Sequence, residues 1–600
     1  MPADITLLSN VQQAVADGKL TESAAKNLTD WLVEPRYADY APQVAAAVEA
    51  GDWKTLDDVF WTIIPFGTGG RRGKMHPFGS NAINDRTIGE SAQGLADYVK
   101  SQLGEGDLSC AICRDTRHNG ERFAKLCAEI MVAAGFKVYF LRGFRSTPEL
   151  SFAVRYKKAS CGIMVTASHN PPSDNAVKVY WSTGGQVLPP HDKGIIERVM
   201  SCQDIHRTDF EQAVAAGKIV YCEEEIDPAF YDAVLTQAQP GPRHLKIVYS
   251  PLHGVGATAV CPVLEKDGFT DVEVFGPHAE PSPDFPNVPG HVSNPERPEV
   301  FDMIIERAKE VSADLVLATD PDCDRIGLAA PVEPGSDEWR TLSGNQIGAL
   351  LADFLLESKK GSLTAQHFNL ITLVTTQLTR RIGDSYGVRT ITDLLVGFKW
   401  IAGAIDENGP DKFVFGTEES HGYMAGQYVR DKDGALAAML ACELAAKLKA
   451  EGKTLHQKLD DLFWQHGLHA ERTINIQMPG SDGMERMMEV MGLFRSQPPA
   501  ELGSYGVAQL RDYKTGVKLQ MNGAAPPAKL EGPTGDLVML DLTEDGNYVA
   551  CRPSGTEPKI KFYLFAYTPA EQLHDLEDAK VEIEQALDKI EADLRKFAGV

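Results

Sequence analysis

The chain has 600 residues, too many for one hydrophobic core, and at roughly 100–200 residues per domain it is expected to form three to five. With 84 acidic against 59 basic side chains and a net charge of −25, it lacks the basic face that replaces phosphate counterions or docks on anionic lipid, so nucleic acid and membrane surfaces are excluded as partners. Its 43% hydrophobic and 24% charged residues are those of an ordinary soluble globular protein.

Residues 5–50 read as helical, with Leu7, Leu8, Val11, Ala14, Leu28, Trp31 and Leu32 at mixed three- and four-residue spacings. Strand-like and helical runs then alternate. Ser109–Cys113 leads into a helix through Phe123–Ala134 and a strand at 137–141, and the apolar run 162–165 ends at a polar loop. A strand at 244–249 precedes a helix near 257–266 and a strand at 272–275; helices at 299–310 and 344–357 precede strands at 314–318 and 370–374. Strands separated by helices argue for α/β layers, and their repetition for several similar units. The Pro-rich stretches 277–296 and 331–338 read as connecting loops. Short strands near 472–476, 536–542, 547–551 and 559–566 then precede a helix over 569–597, whose seam of Leu576, Ile583, Leu587, Ile590, Leu594 and Phe597 suits packing on a sheet. This tail reads as a separate α+β domain. No apolar run reaches the roughly 18 residues of a membrane span, and Met1-Pro2-Ala3-Asp4 does not open a signal peptide. The ten cysteines, scattered from Cys110 to Cys551, do not form a secreted disulfide pattern, so a cytoplasmic address with reduced thiols is expected.

Two patterns are decoys. Cys110-Ala-Ile-Cys113 has redox or zinc spacing but lies inside an apparent strand with no second pair, so it reads as core. Gly254-Val-Gly256-Ala-Thr-Ala259 resembles a dinucleotide turn, but Pro251-Leu-His253 intervene, and a tight structural turn is the simpler reading.

Other loops carry chemistry. Thr166-Ala-Ser168-His169-Asn170-Pro171-Pro172 follows strand 162–165, where open α/β sheets place reactive groups; alone it reads as a nucleophile beside a histidine or as a polar turn. Lys178 follows ten residues later. Asp320-Pro-Asp322-Cys-Asp324-Arg325 closes strand 314–318, and its alternating carboxylates suit a hard divalent cation such as Mg²⁺. Gly416-Thr-Glu418-Glu419-Ser420-His421-Gly422 offers groups that can grip sugar hydroxyls, or a solvated turn. Arg552-Pro-Ser554-Gly555-Thr556-Glu-Pro-Lys559 forms an anion nest. The 66–75 loop, with Arg71, Arg72 and Lys74 among four glycines, reads as a second cationic cradle.

In this order the loops resemble the α-D-phosphohexomutase family over roughly residues 60–600, on four motifs: Thr-Ala-Ser-His-Asn-Pro, Asp-x-Asp-x-Asp-Arg, Gly-x-Glu-x-Ser and Arg-Pro-Ser-Gly-Thr-Glu-Pro-Lys. The pattern is nearest the long phosphoglucomutase and phosphopentomutase branch. Gly69, Arg71, Val396, Thr417 and His421 depart from commoner family residues. The resemblance implies three related α/β/α domains with mixed sheets and a C-terminal α+β domain around a central cleft. Laid on the chain, this gives an N-terminal helical extension at 1–55, domain I with the phosphoserine loop at 56–235, and domain II with the metal loop at 236–335. Domain III with the sugar loop then spans 336–468, and the phosphate-binding C-terminal domain 469–600.

It further implies that Ser168 carries a phosphoryl group and, with Asp320, Asp322 and Asp324, holds one Mg²⁺. His169, Lys178 and Arg72 would act at the transferring phosphate. Thr166, Arg325, Gly397, Lys399, Glu418 and Ser420 would contact substrate, and Arg552, Ser554, Gly555 and Thr556 would hold its second phosphate. The implied reaction interconverts glucose 1-phosphate and glucose 6-phosphate through glucose 1,6-bisphosphate, which is also the primer. A phosphomannomutase or phosphopentomutase, a phosphoserine phosphatase, a silent sugar-phosphate binder and a nicotinamide oxidoreductase are the alternatives. A small sugar phosphate is the expected partner, and monomer and homodimer are both compatible with the sequence. Arg71, Arg72, Lys74, Lys178, Arg325, Lys399, Arg552 and Lys559 are expected to line one positive cleft inside an acidic shell.

Overall fold

The computed structural model describes residues 5–67, 69–478, 483–521, 523, 525–554 and 559–599. Helices Ile5–Ala16, Glu22–Val33, Ala41–Ala50 and Trp53–Phe60 come first. They close on a small core of their own, with Val11, Leu28, Trp31, Val44 and Phe60 buried. Phe78, from the next domain, adds its ring 6.1 Å from that of Phe60. The expected boundary at residue 55 falls inside the fourth of these helices, whose Leu56, Val59 and Phe60 belong to this core.

Among the described residues the strands form four sheets. The first holds β1 (Gly70–Lys74), β2 (Ser109–Arg114), β3 (Lys137–Phe140), β4 (Cys161–Val165), β5 (Asp174–Trp181) and β6 (Ile219–Tyr221), ordered β1-β5-β4-β2-β3-β6. The second holds β7 (Ile247–Ser250), β8 (Val272–Val274), β9 (Leu315–Thr319), β10 (Ile326–Pro331) and β11 (Trp339–Leu342), ordered β11-β10-β9-β7-β8. The third holds β12 (Phe368–Thr372), β13 (Arg389–Leu394), β14 (Phe413–Glu418) and β15 (Gly422–Met424), ordered β13-β12-β14-β15.

These three sheets share one plan. Helix-linked strands pair in parallel, and then one strand turns back on itself: β4 into β5, β9 into β10, and β14 into β15. The strands that enter these turns are buried at every position, as expected of strands covered on both faces. Cys110 and Cys113 lie buried in β2, as core.

The fourth sheet is antiparallel: β16 (Leu468–Gln477), β17 (Glu501–Leu502), β18 (Tyr505–Asp512), β19 (Val517–Gln520), β20 (Ala528–Lys529), β21 (Val538–Leu542), β22 (Tyr548–Pro553) and β23 (Lys559–Thr568). A helix at Gly483–Ser496 and strands β17–β20 were not anticipated from the sequence. β17 and β20 are two residues long and β19 four, and a register shift between Val507 and Gln509 interrupts the alternation of β18. The long helix runs Leu576–Ala598 and starts later than residue 569, since Asp575 caps it by accepting from the Glu577 and Asp578 amides. Among the described residues no helix is long and apolar enough to cross a membrane.

Candidate active site

The three turn-back loops, 166–173, 320–325 and 419–421, meet one another. Each contains a non-glycine residue in the left-handed region: Ser168 (φ 51°), Cys323 (φ 53°) and His421 (φ 63°). Such a conformation costs about 1–2 kcal/mol per residue and persists where surrounding contacts over-determine it.

In the first loop those contacts come from Arg117. Its guanidinium donates to the carbonyls of Ser168 (2.5 Å), Pro171 (2.7 Å), Asp174 (2.8 Å) and Asn170. Asp115, 3.4 Å away, balances its charge. Thr166 Oγ1 donates to Asp115 Oδ2 at 2.5 Å and accepts from the Ser168 amide at 2.8 Å. Thr166 was expected to touch substrate; instead it is fully buried and its hydroxyl is engaged in shaping the loop.

The loop delivers Ser168 across a domain boundary. Ser168 Oγ donates to Asp320 Oδ2 at 2.7 Å and stands 3.2 Å from His169 Nδ1. Burial, with Arg325 and Arg72 nearby, holds the His169 pKa well below its ordinary value, so the ring is neutral. Arg72 is exposed to the cleft beside this cluster, and crowding by protein together with Arg325 and Arg117 lowers its pKa to about 10. Its neighbour Arg71 is not in the cleft. Successive side chains of a strand point to opposite faces, and Arg71 is buried against Glu90 at 2.6 Å.

Asp320, Asp322 and Asp324 are at most 2% exposed, and one oxygen of each lies within 4.8 Å of the others. Asp322 Oδ1 and Asp324 Oδ1 are buried without a hydrogen-bond partner. A hard divalent cation fits such a donor set. Burial and the other two carboxylates push the Asp320 carboxyl well above its usual range. Asp322, against its own burial, is held low by Lys178. Lys178 Nζ lies 2.9 Å from Asp322 Oδ2 and 3.8 Å from Asp324 Oδ2. Thr147 also donates, through its hydroxyl at 2.8 Å and its amide at 2.9 Å, to Asp322.

The loop 320–325 is backed by the decoy turn. An added Cβ on Gly254 would stand 2.3 Å from Pro321 Cα, and the Val255 amide donates to Pro321 O at 2.9 Å. The glycine there permits close approach of two backbones and has no dinucleotide role to explain.

The third loop docks on the second reciprocally. The Ile326 amide donates to His421 O at 3.3 Å, and His421 Nδ1 lies 3.0 Å from Ile326 O. This puts Glu418 next to Arg325, which pairs with Glu296 at the end of the Pro-rich loop, and leaves Ser420 half-buried in the third loop. Burial and Glu418 raise the Glu419 pKa to about 8. Gly397 (φ 116°) starts the helix Phe398–Asn408, and Lys399 in its first turn is directed elsewhere: its ammonium is 3.8 Å from Asp192 and 3.5 Å from Val187 O. Arg552 and Ser554 stand at the end of β22, with Arg552 paired in register to Lys561. Lys561 senses Glu296 and Glu419, which brings the fourth sheet to the same cleft. Gly555 and Thr556 lie outside the described residues.

Sequence reasoning passed over Arg117, Glu296, Lys561 and Lys432, the last 2.9 Å from Asp324 Oδ2. The charged run Asp431-Lys432-Asp433 before a small-residue helix was the available signal for Lys432. The cleft is consequently of mixed charge and not uniformly positive.

Family models described as phosphoglucomutase/phosphomannomutase alpha/beta/alpha domains I, II and III match residues 64–204, 228–333 and 343–466. A phosphoglucomutase of Staphylococcus haemolyticus is 33% identical over 510 residues, covering 84% of this chain and 90% of its own. A Haemophilus influenzae protein named probable phosphomannomutase is 33% identical over 496 residues, covering 81% and 93%. A phosphoglucomutase/phosphomannomutase family protein from Burkholderia thailandensis shares the fold with a TM-score of 0.64 at 16% identity, covering 89% of this chain and 98% of its own. The chain belongs to the phosphoglucomutase/phosphomannomutase family and is a phosphotransferring mutase.

Proposed function

We propose that the protein interconverts glucose 1-phosphate and glucose 6-phosphate through a phosphoserine at Ser168 and a glucose 1,6-bisphosphate intermediate. The observation that carries this reading is the 2.7 Å contact between Ser168 Oγ and Asp320 Oδ2, which sets a hydroxyl against a buried carboxylate cluster. Asp320, Asp322 and Asp324, with an oxygen of the phosphorylated Ser168, would hold Mg²⁺. When bound, Mg²⁺ spreads the negative charge that builds on the transferring phosphoryl group.

The protein's own groups do the rest. The bond from phosphorus to Ser168 Oγ breaks as a sugar hydroxyl oxygen bonds to phosphorus. The hydroxyl proton is passed on and a proton returns to Ser168 Oγ, with Lys178 as the carrier and neutral His169 in support. Arg72 and Arg325 steady the phosphoryl oxygens. Glu418 and Ser420 grip the sugar hydroxyls in either orientation. Arg552, Ser554, Gly555 and Thr556 hold the idle phosphate while the bisphosphate turns over, and the second phosphate then returns to Ser168. The four sheets support division of the chain into domains I, II, III and a C-terminal domain, preceded by the helical extension.

The experiment is intact mass spectrometry after incubation with glucose 1,6-bisphosphate and Mg²⁺, coupled to turnover of glucose 1-phosphate. One phosphoryl group on the wild type and none on Ser168→Ala supports the reading; no phosphorylation and no glucose 6-phosphate defeats it. A relative named for mannose favours a second reading, the same mechanism on mannose phosphate, with a pentose phosphate as the further alternative. A panel of glucose, mannose, glucosamine and ribose 1-phosphates ranked by kcat/KM decides between them. Steady release of inorganic phosphate would instead identify a phosphatase.

A further inference from the structure

Asp324 already carries a protein cation on the carboxylate that the proposed function gives to Mg²⁺. Lys432 Nζ is 2.9 Å from Asp324 Oδ2 and 3.4 Å from Asp431 Oδ1, and its side chain is 8% exposed. Room to retreat is limited, because Lys432 Cδ lies 2.5 Å from where a Cβ on Gly422 would stand, and the Phe398 ring is 5.8 Å from the ammonium.

Asp431 is far better anchored than a counterion needs to be. Tyr180 OH donates to its Oδ2 at 2.9 Å, Gln186 Nε2 donates to the same oxygen at 3.1 Å, and the Lys432 amide donates to its Oδ1 at 2.9 Å. Tyr180 lies on β5, two positions beyond Lys178 and so on the same face of the strand. One strand of the first sheet thus addresses Asp322 through Lys178 and Asp431 through Tyr180. A divalent cation and an ammonium on one carboxylate repel each other, so metal entry at Asp324 displaces the ammonium, which then needs a second anion within reach.

We propose that Asp431 is that second berth: when a divalent cation takes Asp324, the Lys432 ammonium transfers to Asp431, which Tyr180 and Gln186 hold in place at the cleft. Asp431 is then a positioning residue acting through Lys432, and the first and third domains are coupled to metal binding in the second. The inference rests on the metal site of the proposed function but not on its sugar.

A double-mutant cycle read by isothermal titration of Mg²⁺ into the full-length protein tests it. Lys432→Met removes the competitor and tightens Mg²⁺ binding. Asp431→Asn takes away the berth and weakens binding about tenfold, as loss of outer partners does at other metal sites. In the Lys432→Met background the same Asp431→Asn change has no further effect, because there is no ammonium to house. Asp431→Glu restores affinity, and Tyr180→Phe, the check should Asp431→Asn fail to fold, gives part of the loss. An Asp431→Asn effect of equal size in both backgrounds would overturn the inference, since Asp431 would then act on the metal directly through its charge. No effect in either background would also overturn it. A wild type that binds no Mg²⁺ defeats the metal site itself, which distinguishes that failure from failure of the berth.

Discussion

The backbone of the Ser168 loop depends on one guanidinium. Arg117 donates to three loop carbonyls and to that of Asp174 at the start of β5, and its planar fork of donors is a geometry that an ammonium cannot reproduce. Arg117→Lys keeps the charge beside Asp115 and loses most of these bonds. Unfolding in urea is expected to show a loss of about 1–3 kcal/mol, and amide exchange across residues 166–174 to accelerate. Unchanged exchange would show that the loop is held by other means. Ser168, Lys178 and the three aspartates were legible in the sequence because each sits in a contiguous motif, or ten residues from one, whose chemistry is readable in place. Arg117 lies 51 residues before the serine it holds. Lys432 reaches Asp324 from another domain, and nothing in local spacing announces either meeting. Thr166 and Arg71 were misassigned for a related reason: a polar side chain beside a site is as readily engaged by its own loop or strand as by a ligand.

Among elements, the turn before the helix Val260–Asp267 shows how a glycine pattern can serve a neighbouring loop. Gly254→Ala would drive a Cβ into Pro321, and overpacking of this kind costs about 1–3 kcal/mol. The expected outcome is a lower melting temperature together with Mg²⁺ affinity reduced about tenfold, both measurable on one preparation; stability loss with intact Mg²⁺ affinity would separate the turn from the metal loop. Helices Val260–Asp267 and Gly434–Ala450 meet at a second test. Asp267 Oδ2 and Glu443 Oε2 are both buried without donors, and Arg243 faces both residues at 2.9 and 2.6 Å. Burial and Asp267 raise the Glu443 pKa to about 8, so one proton shared between the carboxyls satisfies both orphans. Because the folded pKa is raised, this contribution is complete below about pH 4.5, the ordinary glutamate range, and is lost as pH rises through about 8. Melting temperature should fall from about pH 5 to about pH 8 and level off above it, and Glu443→Gln should flatten that fall. The parallel strands of the three α/β units were readable because they are continuous apolar runs between helices. β17–β20 were not, because β17, β19 and β20 are too short to establish a period and the register of β18 shifts between Val507 and Gln509.

For the whole molecule, a net charge of −25 opposes an anionic substrate at long range, while on the proposed function Arg72, Lys178, Arg325 and Lys432 would attract it at short range. Which one an approaching sugar phosphate feels depends on the screening length, roughly 30 Å at 0.01 M salt, 8 Å at 0.15 M and 3 Å at 1 M. At saturating Mg²⁺, kcat/KM should therefore rise from the lowest salt to an intermediate maximum and fall beyond it. A steady fall from the outset would mean that the outer acids do not reach the substrate's path.

The contact of Ser168 with Asp320 joins the first two sheets across 2.7 Å. A bond that short tolerates almost no sliding of one sheet past the other, whereas the apolar side chains that both sheets bury in a common core make non-directional contacts that survive a small shift. Turnover is thus a gauge of how the first two domains sit together, far more sensitive than any measure of whether they are folded. Mild heat or denaturant should silence the enzyme while its circular dichroism is still native, and activity should return on cooling without any refolding having taken place.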